Sequence, residues 1–150
     1  NKCVRPHVHE IGIYGVKYPE VNEDCNGCGR CSDVCKLEAI SIRGETSYTN
    51  YNVCIGCGKC IKACPNEARD TKKEGYMVLA GGKSGRNLVE ATNIGLMDEN
   101  ELVNFVNSVM KVYEKYAEKP QRERLSAMME KVGKGRFLSD VEDIMKNKTI

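Results

Sequence analysis

The sequence predicts an α+β chain in which a small cysteine-rich module is inserted between two strands of a larger, partial domain that ends in helices. Three observations lead there. Eight of the nine cysteines fall into two tandem runs between residues 25 and 64. Two short apolar segments broken or bounded by glycine, Ile11–Val16 and Tyr76–Ala80, flank those runs and read as strands with close backbone approach. Beyond Asp98 the apolar residues recur at helical spacing.

The two runs are the same pattern used twice. Cys25, Cys28, Cys31 and Cys35 read C-x2-C-x2-C-x3-C, and Cys54, Cys57, Cys60 and Cys64 repeat it with Pro65 following. The stretch 21–73 resembles the bacterial two-cluster ferredoxins, whose ligand run this is, and the resemblance implies two [4Fe–4S] clusters. Three cysteines two residues apart wrap one face of a cubane. The fourth cannot come from the same loop without strain, so it crosses to the other cluster. Cys25, Cys28, Cys31 and Cys64 are therefore assigned to cluster one, and Cys54, Cys57, Cys60 and Cys35 to cluster two. Gly27, Gly29, Gly56 and Gly58 relieve backbone strain around the ligands and let amide N–H groups approach the cluster sulfides. Lys36 departs from the family, which usually has proline after the fourth cysteine.

Other readings of the cysteines are weaker. A disulfide framework needs an even count and a secretory context; this chain has nine cysteines, and no signal peptide is expected. Zinc sites use C-x2-C pairs set well apart, not run together. The repeat also extends past the ligands. Each recurs after 29 residues, and Cys35-Lys-Leu-Glu-Ala-Ile answers Cys64-Pro-Asn-Glu-Ala-Arg. Two pseudo-symmetric halves are expected, each a ligand loop, a helical turn and flanking strand, with Ile40 and Ile42 alternating as a strand would.

Charge gives no case for nucleic acid. The formal +2 and the pI of about 8.1 belong to the chain alone. Eight thiolates and two oxidised cores turn that charge slightly negative, and no Arg/Lys tract with interleaved aromatics is present. No apolar run approaches the ~18 residues of a membrane helix, so no membrane insertion is expected. The cysteine module is too small to rest on apolar burial alone, and cluster ligation must supply much of its stability. Exposed cubanes point to the cytoplasm of an anaerobic organism.

The flanks are read as follows. The strands at Ile11–Val16 and Tyr76–Ala80 are expected to be neighbours, with hinges at Tyr18–Asn22 and Lys72–Gly75. Asp98 and Glu101 form a capping box, and Leu102, Phe105, Val106, Val109, Met110, Tyr113 and Tyr116 make one apolar stripe. Pro120 starts a second helix, carrying Leu125, Met128, Met129 and Val132 and ended by Gly133. Ser139 and Glu142 cap a third. These stripes are core packing, with the methionines as gap-fillers.

The flanks carry a second resemblance. Cys3-Val-Arg-Pro-His-Val-His-Glu-Ile-Gly-Ile-Tyr-Gly resembles the siroheme-dependent sulfite and nitrite reductase family just after its C-x3-C motif. Tyr76 to Arg86 resembles that family's next Gly-Gly strand, and residues 98–116 its following helix. The anaerobic and dissimilatory branches carry a two-cluster ferredoxin between those strands. The resemblance implies three parts: reductase-like segments at 1–20 and 74–150, and a 2[4Fe–4S] ferredoxin domain at 21–73. It also implies a C-terminal fragment of a larger reductase, in which Cys3 is the ligand bridging a further [4Fe–4S] cluster to siroheme. The parent would reduce sulfite to sulfide with six electrons, or nitrite to ammonia. The fragment itself would carry electrons and hold no catalytic residue. Its partners would be a redox donor protein or subunit and the remainder of the reductase chain.

Smaller features stay open. Cys3 is also readable as an incidental thiol. Lys83 and Arg86 suit siroheme carboxylates, but a solvated turn reads equally well. His7 and His9 alternate as strand residues and suit a metal less well than a polar strand face. Two other functions fit the cysteines: a free-standing ferredoxin that docks a partner enzyme, and an iron–sulfur subunit of another redox complex.

Overall fold

The structure, a computed structural model, describes residues 6–118 and 123–147. The chain divides into two compact units. One is Gly15–Gly75; the other joins the segment ending at Tyr14 to the segment from Tyr76 onward.

In the latter unit a 3-10 turn at Pro6–Val8 leads into strand β1, Ile11–Val21. Chain returns through β4, Arg69–Ala80, and then β5, Thr92–Met97. The sheet order is β1-β4-β5, so the two flanking strands are neighbours, as expected from the sequence. Past the end of β4 the Gly81 amide donates to the Glu10 carbonyl at 2.8 Å and the Gly82 amide to the His9 carbonyl at 3.0 Å. Strands β4 and β5 are antiparallel, Tyr76 facing Met97, with an irregularity between Val78 and Leu79.

Three helices pack on the part of this sheet that belongs to the same unit, at Ile11, Val78, Ala80, Ile94 and Met97. Helix α3, Glu99–Tyr116, begins at the expected capping box: the Glu101 amide donates to the Asp98 carboxylate and the Asp98 amide to the Glu101 carboxylate. Helices α4, Leu125–Val132, and α5, Lys134–Lys146, follow. Phe105, Val109 and Val112 from α3, Leu125, Met128 and Met129 from α4, and Phe137 and Val141 from α5 close on Val78 and Ala80. Most of the stripe read from the sequence packs in or against this core, and Met128 and Met129 fill it with no exposure; Met110 is exposed instead, and Val112, outside the expected stripe, is buried.

Three expectations need correction. The links expected at Tyr18–Asn22 and Lys72–Gly75 are not loops: residues 18–21 and 72–75 lie inside strands, where ladder hydrogen bonds outweigh the poor strand propensity of Lys72, Lys73 and Glu74. The third helix does not start at Ser139. It begins at Lys134, because Gly133, at φ 91, ends one helix and starts the next, which lets Phe137 and Val141 share one buried face. His7 lies in the 3-10 turn and not on a strand. Strand β5 has no clear alternation in the sequence and forms by pairing with β4. Pro120 lies outside the described residues.

The Gly15–Gly75 unit is built differently. Helical turn α1, Arg30–Asp33, hairpin β2, Ile40–Arg43, and β3, Thr46–Thr49, and helical turn α2, Lys59–Lys62, sit between the outer strands. The hairpin is antiparallel, Ile40 facing Thr49. The loop around Gly56 pairs with β1, the Lys17 amide donating to the Gly56 carbonyl at 2.6 Å. Its buried cluster is only Cys31, Ile40 and Cys60, with Val34, Cys35, Ile42 and Ile61 against it.

Candidate metal centre

The 29-residue repeat is visible in the backbone. Turns α1 and α2 each begin at a left-handed glycine, Gly29 at φ 83 and Gly58 at φ 67, and end on Val34 and Ala63 with the same φ of −87. Glu38 and Glu67, one repeat apart, take φ 53 and 52, a region that non-glycine residues rarely enter. Exposure repeats as well. Cys28 and Cys57 are exposed, Cys31 and Cys60 buried, and Cys25, Cys54, Cys35 and Cys64 between. The helical turns carry the third cysteine of each run; they do not follow the ligand loop as the sequence suggested.

Two glycines show why the loops take this path. Gly27 and Gly56 have φ 67 and 65. A Cβ on Gly27 would stand 2.5 Å from the Gly44 carbonyl oxygen, and one on Gly56 would stand 2.9 Å from Val16 Cβ. Each therefore combines a left-handed backbone with contact too close for any side chain. The reward is an amide turned back on sulfur: the Gly56 N–H donates to Cys54 Sγ at 3.5 Å. Its counterpart, the Gly27 N–H, is the main reason the Cys25 thiol is held below the ordinary range, against the opposing effect of burial.

The cysteines line two hollows. The first is walled by Cys25, Cys28, Cys31 and Cys64, with Ser47, Arg30 and Arg69. The second is walled by Cys35, Cys54, Cys57 and Cys60, with Pro19, Val34, Leu37, Ile40 and Ile55. In each, three cysteines come from one loop and the fourth from the other. These are the same two sets into which the sequence divides them. Among the described residues no three Cys, His, Asp or Glu side chains converge to hold a single metal ion. A donor set of four soft thiols around a hollow suits an iron–sulfur cluster.

The two walls differ in chemistry. The second is lined mainly by apolar side chains, with Thr49, Lys36 and Lys59 also at its wall. Pro19, in β1, contributes to it and is itself buried, its carbonyl accepting from Tyr51 Oη at 2.6 Å. The first carries a buried cation. Arg69 is 3% exposed, and it donates through Nη1 to Thr49 Oγ1 at 3.0 Å and to Cys60 Sγ at 3.6 Å, and through Nη2 to Ser47 Oγ at 3.1 Å. Ser47 Oγ in turn lies 3.6 Å from Cys25 Sγ. Burial pushes the Cys60 thiol up, and the Arg69 charge and hydrogen bond pull against that.

Arg69 is the residue that sequence reasoning passed over. Its signal lay in the repeat, which sets Arg69 against the buried Ile40. Of the other candidates, Lys83 is half-buried and its backbone bridges Val89, while Arg86 is exposed in the loop between them. Neither lies at the cysteine hollows. Cys3 lies outside the described residues. His7 stacks at a tilt on Tyr14, with ring centroids 6.1 Å apart.

Comparison with known proteins places the chain. It is 66% identical over 147 residues to the coenzyme F420-dependent sulfite reductase of Methanocaldococcus jannaschii; the alignment takes in 97% of this chain and 24% of that protein. The chain thus spans about a quarter of the length of this relative. Its fold is shared with the crystal structure of dissimilatory sulfite reductase I, at a TM-score of 0.58 and 17% identity over 89% of this chain and 38% of that one. The family model for the nitrite and sulphite reductase 4Fe-4S domain matches residues 1–149. With nearly every residue matched, the chain belongs to the nitrite and sulphite reductase 4Fe-4S domain family.

Proposed function

We propose that this chain is the electron-delivering part of a siroheme-dependent sulfite or nitrite reductase, built around an inserted 2[4Fe–4S] ferredoxin module at about 21–73. The observation that carries the reading is the pair of hollows, each walled by four cysteines, three from one loop and one from the other. Cys25, Cys28, Cys31 and Cys64 hold cluster one; Cys35, Cys54, Cys57 and Cys60 hold cluster two. When bound, such clusters take up and release single electrons. The protein supplies the rest. The loop amides at Gly27 and Gly56 turn toward ligand sulfur, and the Gly27 amide favours the Cys25 thiolate. Pro19, Ile40 and Leu37 line the second centre with apolar surface, and Arg69 and Ser47 give the first a polar wall.

The six electrons of sulfite reduction must arrive singly at one siroheme, which is the use of a tethered relay. In the whole reductase Cys3 would serve as a ligand where siroheme and a further [4Fe–4S] cluster meet, and Lys83 and Arg86 would supply positive charge for siroheme carboxylates. The name of the Methanocaldococcus relative points to coenzyme F420 as the source of the electrons. A reducing, oxygen-poor cytoplasm suits centres ligated by the exposed Cys28 and Cys57.

Iron and acid-labile sulfide, counted after anaerobic isolation, test the clusters: about eight of each per chain is expected, and bound zinc without sulfide overturns the reading. The relay is tested in the whole reductase. Replacing Cys28 and Cys57 together by serine should abolish donor-linked sulfite reduction while the siroheme absorbance stays. An undiminished rate overturns electron delivery by this segment.

A further inference from the structure

Arg69 is a buried cation whose neighbours do not account for it. Among the described residues it has no carboxylate in ion-pair contact. Its Nε is buried and has no hydrogen-bond partner among them. A buried charge without a counter-charge is strongly unfavourable, and so is a buried donor without an acceptor. The repeat shows that the architecture does not need an arginine here, because the equivalent position in the other half is Ile40, buried at 7% exposure. What the position does have is sulfur. Arg69 donates directly to Cys60 Sγ, a ligand of the second hollow. It reaches Cys25 Sγ, a ligand of the first, through Ser47 Oγ. Its side chain also forms part of the first hollow's wall.

We infer that Arg69 is a shared redox-tuning residue: a single guanidinium that supplies positive charge to both cluster sites and makes each easier to reduce. This inference rests on the two-cluster reading above. With four thiolates and an oxidised core, each site is a compact anion, and adding one electron deepens the charge by one. A permanent cation in the low-dielectric wall stabilises the reduced form more than the oxidised one. Hydrogen bonds to ligand sulfur act in the same direction. The direct contact serves the second site. The Ser47 relay serves the first. Arginine suits the task because its planar fork reaches Cys60, Ser47 and Thr49 at once.

The test is an anaerobic potentiometric titration of the full chain with its clusters, followed by the electron paramagnetic resonance signals of the reduced centres. Arg69→Gln keeps donors and removes the charge. It should lower the one-electron reduction equilibrium constant of both clusters by about ten-fold, which is about 59 mV each. Arg69→Lys keeps the charge and should move both by less than three-fold. Ser47→Ala leaves Arg69 in place, breaks the relay to Cys25 and should lower one potential alone. Potentials unchanged in Arg69→Gln, with iron and sulfide at the wild-type count, make Arg69 a structural brace and overturn the inference. A shift confined to one cluster in Arg69→Gln overturns the sharing. Should Arg69→Gln fail to load, Arg69→Lys and Ser47→Ala decide: equal potentials in wild type and Ser47→Ala sink the relay, and a ten-fold loss in Arg69→Lys sinks the role of charge. Failure of the two-cluster reading looks different, since iron and sulfide would then be wrong in the wild type.

Discussion

The two units of this chain solve the same folding problem with different materials. The unit carrying α3, α4 and α5 closes ten buried residues into one apolar core, among them Phe105, Phe137, Met128 and Met129 with at most 1% exposure. In the Gly15–Gly75 unit the packed apolar cluster is three buried residues, and two of them are cysteines, Cys31 and Cys60; Val16, Ala39 and Ala68 are buried apart from it. Its larger apolar side chains are spent on the surface: Leu37, Tyr48, Tyr51, Val53 and Ile55 are all exposed. One unit is held by area removed from water. In the other the interior is a pair of thiol-lined hollows, so its stability is bound up with whatever the thiols ligate.

The largest effect should therefore come from removing the clusters. Stripping iron with a chelator under anaerobic conditions should abolish amide hydrogen-exchange protection through Gly15–Gly75 while α3 and α5 keep theirs. Equal loss in both units would mean that the apolar core also depends on the metal. Preserved protection in Gly15–Gly75 would mean that its hydrogen bonds suffice. The converse experiment is Phe105→Ala, which opens a cavity in the apolar core. A loss of roughly 3–5 kcal/mol is expected, read from denaturant unfolding of the helical signal, with iron and sulfide per chain unchanged.

A smaller effect separates strain from collision within the ligand loops. Gly27 and Gly29 both have positive φ, at 67 and 83. A Cβ on Gly27 meets the backbone of Gly44 at 2.5 Å, whereas one on Gly29 meets nothing within 4 Å. Gly29→Ala should cost only the left-handed backbone, about 1–2 kcal/mol. Gly27→Ala should cost more, because backbone must move, and should also lower cluster loading. Equal loading in the two variants would remove the collision from the account.

How much of this was legible depends on whether the signal was chemical or conformational. The spacing of the eight cysteines divides them into two sets of four, and each hollow is lined by one of those sets. The capping box and stripe of α3 were equally plain, because Asp98, Glu101 and the i, i+4 residues act locally. Strand β4 was half read: Tyr76–Ala80 is apolar, but Arg69–Gly75 is charged and forms strand through its neighbours. Lys134–Leu138 is missed because Gly133 reads as a helix end, while Phe137 needs the helix to start early. Arg69 was written in the repeat as a mismatch with Ile40. Its meaning required knowing that both positions are buried, and sequence gives no distance between Arg69 and Cys60.

The smallest expected effect lies on the surface of the helical unit and sharpens the contrast with its core. Asp140 on α5 accepts from Lys115 Nζ at 2.8 Å and from Tyr116 Oη at 2.7 Å, both on α3. The Lys115 bond first, and the Tyr116 bond after it, hold the Asp140 carboxyl below its ordinary value of 3.8. A carboxyl depressed by folding stabilises the native state above its unfolded pKa, and that contribution disappears as pH falls through the folded one. Asp140→Asn should therefore unfold at a lower urea concentration than wild type at pH 7. The gap should narrow as pH drops below 3.8, and it should also narrow in high salt at neutral pH, since the pair is exposed to screening. Tyr116→Phe separates the two donors: it removes the neutral hydrogen bond and leaves the ion pair, so its gap to wild type should depend less on salt. A gap for Asp140→Asn that persists unchanged into acid would show that the residue acts through α5 packing around Phe137 and Val141, and the helical unit would then owe its stability to burial alone.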